Sequence, residues 1–180
     1  MAYRVIIVGN DRIAQLTARL LAKALELSGG VACWKGSRLS ALPHWNGETK
    51  DNGTSDTVQP ADVAFVFEGQ ALRQAEEQLK PGSLLLIDNS VVQQPVSRDD
   101  LVAMCLPASQ IARELGDLRL SVVVLLGALA ETGQFVQMAN LRQAVVELLP
   151  EEQTSLAEAA LLRGAALADI VLPIPAQPVQ

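Results

Sequence analysis

The segment Val8-Gly9-Asn10-Asp11-Arg12-Ile13-Ala14 is the first place in the chain where residue type and spacing could do chemistry. An apolar, β-branched run gives way there to a helical pattern. In open α/β sheets such a turn presents backbone N–H groups to phosphates and dinucleotides. Against G-x-G-x-x-G/A, Gly9 and Ala14 fit the first and last positions, whereas Asp11 replaces the middle glycine that lets a pyrophosphate approach the backbone. A carboxylate there satisfies the positive end of the helix and repels phosphate. Where a dinucleotide site wants an acidic residue for the ribose, about twenty positions on, the chain offers Trp34-Lys35. Two readings stay open: Asn10 or Asp11 caps the helix, or Gly9, Asn10 and Asp11 bind an anion or cofactor.

Asp88-Asn89-Ser90 falls at the carboxyl end of a predicted strand, where sites in open sheets gather, although strand-end turn chemistry accounts for the same residues. His44, the single histidine, stands beside Trp45 in a polar loop and reads as solvated. Ser109 and Ser121 lack a G-x-S-x-G context and a neighbouring histidine, so nucleophilic hydrolysis has no support. Cys33 and Cys105 lie in separate apolar segments without C-x-x-C spacing, too few to hold an iron–sulfur cluster, and read as inert core thiols.

The elements that must position these residues follow from periodicity. Tyr3 to Val8 is a strand, and Ile13, Leu16, Leu20, Ala24 and Leu27 recur at helical spacing until Ser28-Gly29-Gly30 stops the helix. Val31 to Trp34 is a short second strand. Lys35 to Pro60 dissolves into Gly, Ser, Asn, Asp, Pro and Thr and reads as one long loop. Ala61-Asp62 opens a strand through Val63 to Phe67. A helix carrying Leu72, Ala75 and Leu79 follows, then a turn at Lys80-Pro81-Gly82 and a strand from Ser83 to Asp88. Val102 to Cys105 is a further strand and Pro107 to Leu115 a helix, with Gly116 beyond its end. Leu120 to Ala130 is ambiguous, since Val122-Val123-Val124 favours strand whereas Gly127, Ala128 and Ala130 resemble a small-residue helix face. Helices are expected over Leu141 to Leu149 and Leu156 to Ala168. The second is nearly apolar all round and is expected to bury itself against the body or a partner.

Alternating strands and helices predict a single-domain α/β fold, an open, mostly parallel, doubly wound, Rossmann-like sheet with helices on both faces. Residues 1–170 form that domain, and the prolines at 173, 175 and 178 make residues 171–180 an extended tail. Composition agrees: hydrophobic residues make up 49% and aromatics 3%, so Val, Leu, Ile and Ala must build the core. With a mean hydropathy of +0.24, the last helix and the tail are candidates for a docking surface. A net charge of −6 with scattered Lys and Arg argues against nucleic acid. The apolar run after Met1 is too short for a signal sequence or membrane span, and a cytoplasmic location is expected.

The order of these landmarks resembles the γ subunit of 2-oxoacid:ferredoxin oxidoreductases of the pyruvate, 2-oxoglutarate and indolepyruvate type, over about residues 3 to 168. The resemblance rests on Gly9 and Leu20-Leu21-Ala22-Lys23-Ala24, on Ala61-Asp62-Val63, and on Lys80-Pro81-Gly82-Ser83-Leu84-Leu85-Leu86-Ile87-Asp88. Later matches are Pro107-Ala108-Ser109-Gln110-Ile111-Ala112-Arg113-Glu114-Leu115-Gly116, Leu126-Gly127-Ala128-Leu129 through Thr132-Gly133, and Arg163-Gly164-Ala165-Ala166. The family turn G-x-G-G-Q-G survives here as Gly9 alone. The family's R-G-G loop element is reduced to Arg38, and a polar family position falls near Ser121-Val122.

The resemblance implies a subunit without catalytic residues of its own, in a complex that oxidatively decarboxylates a 2-oxoacid onto coenzyme A and passes electrons to ferredoxin. Thiamine diphosphate and iron–sulfur clusters would belong to the α, β and δ partners. This chain would help assemble the complex and shape the coenzyme A or substrate pocket. The alternatives are a Rossmann-like NAD(P)-binding protein and a degenerate homodimeric scaffold.

Overall fold

The computed structural model describes residues 3–35, 38–42 and 60–170. His44, Trp45 and the tail of residues 171–180 lie outside the described residues. Strand β1 (Tyr3–Val8) leads into helix α1 (Asp11–Leu27), whose apolar stripe buries Ala14, Ala18, Leu21 and Leu25. The helix stops at a Schellman cap: Gly29, at φ 80°, donates to the Glu26 carbonyl at 2.9 Å and Gly30 to the Leu25 carbonyl at 2.9 Å.

Strands β2 (Val31–Lys35) and β3 (Arg38–Leu42) then form an antiparallel hairpin. The long loop expected from Lys35 therefore contains a strand, and Arg38 opens it rather than sitting in a loop. Gly36-Ser37 between two five-residue strands is a two-residue hairpin signal that the polar composition of the region obscures. The hairpin inserts β3, antiparallel, beside β1.

Beyond β1 the sheet is parallel through β4 (Ala61–Val66), β5 (Leu79–Asp88) and β6 (Val102–Leu106), in the order β2-β3-β1-β4-β5-β6. Between β4 and β5 lie a 3-10 turn at Gly69–Ala71 and the short helix α2 (Leu72–Glu77), so Leu79 belongs to a strand and not to the helix. Lys80-Pro81-Gly82 does not end the element. It forms an irregularity inside β5, where the pairing jumps from Ala61↔Leu79 to Val63↔Leu84. Proline lacks the N–H that a regular ladder needs, and Gly82 takes φ 78°. The Ser83 hydroxyl then donates to the Ala61 carbonyl at 2.9 Å and restores the pairing.

The remaining helices are α3 (Ala108–Glu114), α4 (Leu120–Glu131), α5 (Met138–Leu148) and α6 (Glu151–Ile170). Because strand side chains alternate between faces, Ile7, Phe65, Leu86 and Leu106 enter a large core with α1, α3, α4, α5 and α6. Ile6, Ala64, Val66, Leu85 and Ile87 enter a thinner one, covered by Leu72 and Ala75 of α2 and by Val92 and Leu101. That thin cover leaves Cys105 on the edge strand exposed rather than in the core, although partial burial raises its thiol pKa.

The ambiguous segment is helix α4, buried from Leu120 to Ala130. A strand reading fails because α4 crosses α6 at backbone contact. A Cβ on Gly127 would collide with the Leu161 carbonyl, and one on Gly164 with the Val124 carbonyl. Lys23–Glu147 at 2.6 Å ties α1 to α5, and Arg163–Glu114 at 2.7 Å ties α6 to α3.

Gly127→Ala and Gly164→Ala are each expected to lower unfolding stability by roughly 1–3 kcal/mol, overpacking outweighing the gain in helix propensity. Urea denaturation checks this, and an unchanged midpoint would refute the contact. Hydrogen bonds from Lys23 and Arg163 hold the Glu147 and Glu114 carboxyls below their usual range. Their stabilising contribution is therefore complete above the unfolded carboxylate pKa and fades as pH falls through the lower folded values. The urea midpoint should decline below about pH 4, less steeply in Glu114→Gln/Glu147→Gln.

Candidate functional site

The carboxyl ends of the parallel strands bring together Gly9, Asn10 and Asp11 after β1, Phe67 to Gly69 after β4, Asp88 to Ser90 after β5, and Pro107 to Ser109 after β6. Chain connections leave β1 and β4 toward opposite edges of the sheet, so the crevice in which such folds bind ligands opens between those two strands. Gly9 lies at that point. The Phe67 N–H donates to the Val8 carbonyl at 2.8 Å, and the Phe67 side chain packs over the glycine. A Cβ on Gly9 would stand 3.1 Å from the Phe67 Cβ and 3.3 Å from its ring. The Asn10 side chain accepts from the Ile13 N–H at 3.0 Å, so the capping bond is present. Asp11 is exposed in the first turn.

Asp88 is fully buried, and its carboxylate is surrounded by donors. Ser90 N–H reaches one oxygen at 3.1 Å, Ser109 N–H reaches both at 3.1 Å, and the Ser109 hydroxyl donates to Oδ2. The Ser90 hydroxyl accepts from the Gln110 N–H at 3.1 Å, and Asn89 N–H donates to the Leu106 carbonyl at 3.0 Å. Asp88 and Ser109, read separately from the sequence, are thus one clasp joining β5 to the start of α3. Their separation of 21 residues hid the pairing. Ser121 is enclosed in α4, and its hydroxyl has no hydrogen-bond partner among the described residues.

Sequence reasoning missed a second buried carboxylate, Glu76. It accepts from the Ser97 N–H and the Ser97 hydroxyl, both at 2.6 Å. Arg98 adds bonds to the carbonyls of Glu76 at 2.5 Å and Leu79 at 2.8 Å. Together these hold the connection that covers the thin side of the sheet. Among the described residues no group of three or more His, Cys, Asp or Glu could hold a metal ion, and no helix is long and apolar enough to cross a membrane.

The family model for pyruvate ferredoxin/flavodoxin oxidoreductase matches residues 51–166. Among solved structures, the keto/oxoacid ferredoxin oxidoreductase γ subunit of Geobacter sulfurreducens aligns with a TM-score of 0.77 at 18% identity, covering 94% of this chain and 98% of that one. The 2-oxoglutarate:ferredoxin oxidoreductase of Magnetococcus marinus, whose structure holds 2-oxoglutarate, coenzyme A and succinyl-CoA, aligns at 0.66 with 22% identity. That alignment covers 99% of this chain and 32% of the other. The pyruvate oxidoreductase subunit PORC of Thermotoga maritima aligns at 0.63 with 16% identity, covering 92% and 96%. These likenesses show a shared fold. No curated protein matches the chain.

Asp88→Ala is expected to cost about 3 kcal/mol, because hydrogen bonds to a buried charge are strong and their donors would be orphaned. Ser109→Ala should cost less, since the Ser109 N–H remains bonded. Thermal and urea unfolding check the ranking, and equal small losses would show that the clasp contributes little.

Proposed function

The chain belongs to the pyruvate ferredoxin/flavodoxin oxidoreductase family, and from this we propose that it is the γ-type subunit of a 2-oxoacid:ferredoxin oxidoreductase complex. In that reaction the 2-oxoacid loses carbon dioxide, its acyl group passes to the thiol of coenzyme A, and two electrons leave to the iron–sulfur acceptor. Thiamine diphosphate and the clusters reside on α, β and δ partners. This chain supports assembly and borders the coenzyme A or substrate pocket from the carboxyl edge of its sheet, with Gly9, Asn10 and Asp11 at that border. Its location in this reading is cytoplasmic.

The observation that carries the reading is the chemistry of that edge. Asp88 accepts bonds from Ser90 and Ser109, which leaves it occupied as a structural clasp and not available as a base. In this reading such an edge shapes a pocket while the reactive groups come from a neighbour. The relatives point the same way: the fold spans nearly the whole of the Geobacter γ subunit and about a third of the Magnetococcus chain, so it occurs both alone and joined to further parts.

Tagged chain produced with the co-encoded large subunits is expected to copurify with them and to support 2-oxoacid- and coenzyme A-dependent dye reduction. A chain that stays alone would end the subunit reading. Asp11→Asn removes a charge that repels phosphate, and should lower the KM for coenzyme A about threefold to tenfold with kcat unchanged. An unchanged KM would remove the turn from the pocket border.

A further inference from the structure

A groove of about 350 Å³ lies between the amino-terminal half of α1, the start of α4 and the junction of α5 with α6. Its apolar lining includes Leu16, Leu120, Val123 and Leu149, and its charged lining is Arg12, Arg19, Arg119 and Asp117. Three guanidinium groups thus face one carboxylate on a chain whose net charge is −6. Arg119 already grips Asp117, with Nη2 at 2.6 Å from Oδ2 and Nε at 3.0 Å from Oδ1, which lowers the Asp117 pKa and uses that carboxylate up. Arg12 and Arg19 are exposed and make no ion pair among the described residues.

The amino-terminal ends of α1 and α4 meet the groove and the carboxyl end of α5 meets it at Leu148 and Leu149, so the helix ends offset one another and the arginine side chains supply the positive charge. Arg12 lies in the first turn of α1, where a cation is intrinsically disfavoured. Nearby acids, Asp11 on α1 and Glu151 and Glu152 on α6, do not line the groove. Arg12 and Arg19 are separated by seven residues, roughly 10 Å along the helix. A single small anion does not reach both and Arg119 as well, whereas a polypeptide with carboxylates spaced along an apolar stripe does.

From this charge complementarity we infer that the groove docks an acidic, amphipathic segment of a partner protein. The inference rests on the subunit reading and names the face of the chain that a large subunit covers. Carboxylates of the segment pair with Arg12 and Arg19 while its apolar residues cover Leu16, Leu120, Val123 and Leu149.

The test measures binding of the full chain to the purified large subunits at low and moderate salt, for wild type, Arg12→Glu/Arg19→Glu and Arg73→Glu, the last an exposed residue on α2 on the opposite face of the sheet. The expected result is at least tenfold weaker binding for the double variant, loss of most of the salt dependence, and wild-type behaviour for Arg73→Glu. Thermal melting confirms that the variants are folded. If wild type binds and the double variant binds equally well, the groove is not the docking face and the subunit reading stands. If wild type does not bind, the subunit reading and this inference fail together. If coenzyme A alone in place of the large subunits perturbs amide resonances of residues 117–123 and 148–153, on the side of the groove away from the Gly9–Asp11 turn, the occupant is a small anion and the inference is overturned.

Discussion

Helix α4 can sit at the centre of the helical layer because two glycines remove the side chains that would keep it away from α6. Gly127 meets the Leu161 carbonyl and Gly164 meets the Val124 carbonyl, so the helix axes approach more closely than any pair of side chains would allow. That approach lets α4 bury its whole surface from Leu120 to Ala130, with the sheet on one side and helices around the rest. A helix whose residues from Val122 to Ala130 are all apolar has no solvent face there to give up, and it is stable only where neighbours close around it. The arrangement of α1, α3, α5 and α6 follows from the need to enclose it.

The opposite face of the sheet is held by polar chemistry. Its apolar cover is thin, and two buried carboxylates fix the segments that supply it: Glu76 holds Ser97, and Asp88 holds Ser90 just before Val92. Asp88 also holds Ser109, which ties the same strand end to α3 on the other face. A buried charge is costly unless its acceptors are filled. Filled by backbone N–H groups and serine hydroxyls, each carboxylate becomes a rigid joint between segments distant in sequence. The carboxyl edge of the sheet is consequently ordered by the protein's own groups. This is the physical basis for reading the chain as a shaping partner in its oxidoreductase family.

The carboxyl edge and the helical layer differ in character. The carboxyl edge carries the capped α1 turn beside the crevice between β1 and β4, with Asp11 exposed in the first turn of α1. The outer surface of the helical layer gathers unpaired arginines into an apolar groove on an otherwise acidic chain. In the proposed reading, a pocket border and a docking face lie side by side, as suits a subunit of a reaction that occurs between chains.

The amino-acid sequence by itself determined the parallel strands at β1, β4, β5 and β6, the helix α1 with its Gly29 stop, and the loss of the glycine nest at Asp11. Each of these is written in local periodicity or in a single conformationally decisive residue. It also carried the family, because an ordered series of short motifs survives even where each motif is weak. Tertiary structure alone decided that Leu120 to Ala130 is a helix, that Arg38 to Leu42 joins the sheet beside β1, and that Cys105 faces solvent. A short apolar run has no intrinsic preference strong enough to choose its state, so its neighbours choose for it. The Asp88–Ser109 clasp, the Glu76–Ser97 clasp and the arginine groove belong to the same class. They are made by groups far apart in the chain, and no local pattern encodes which buried carboxylate will meet which donor once the sheet has closed.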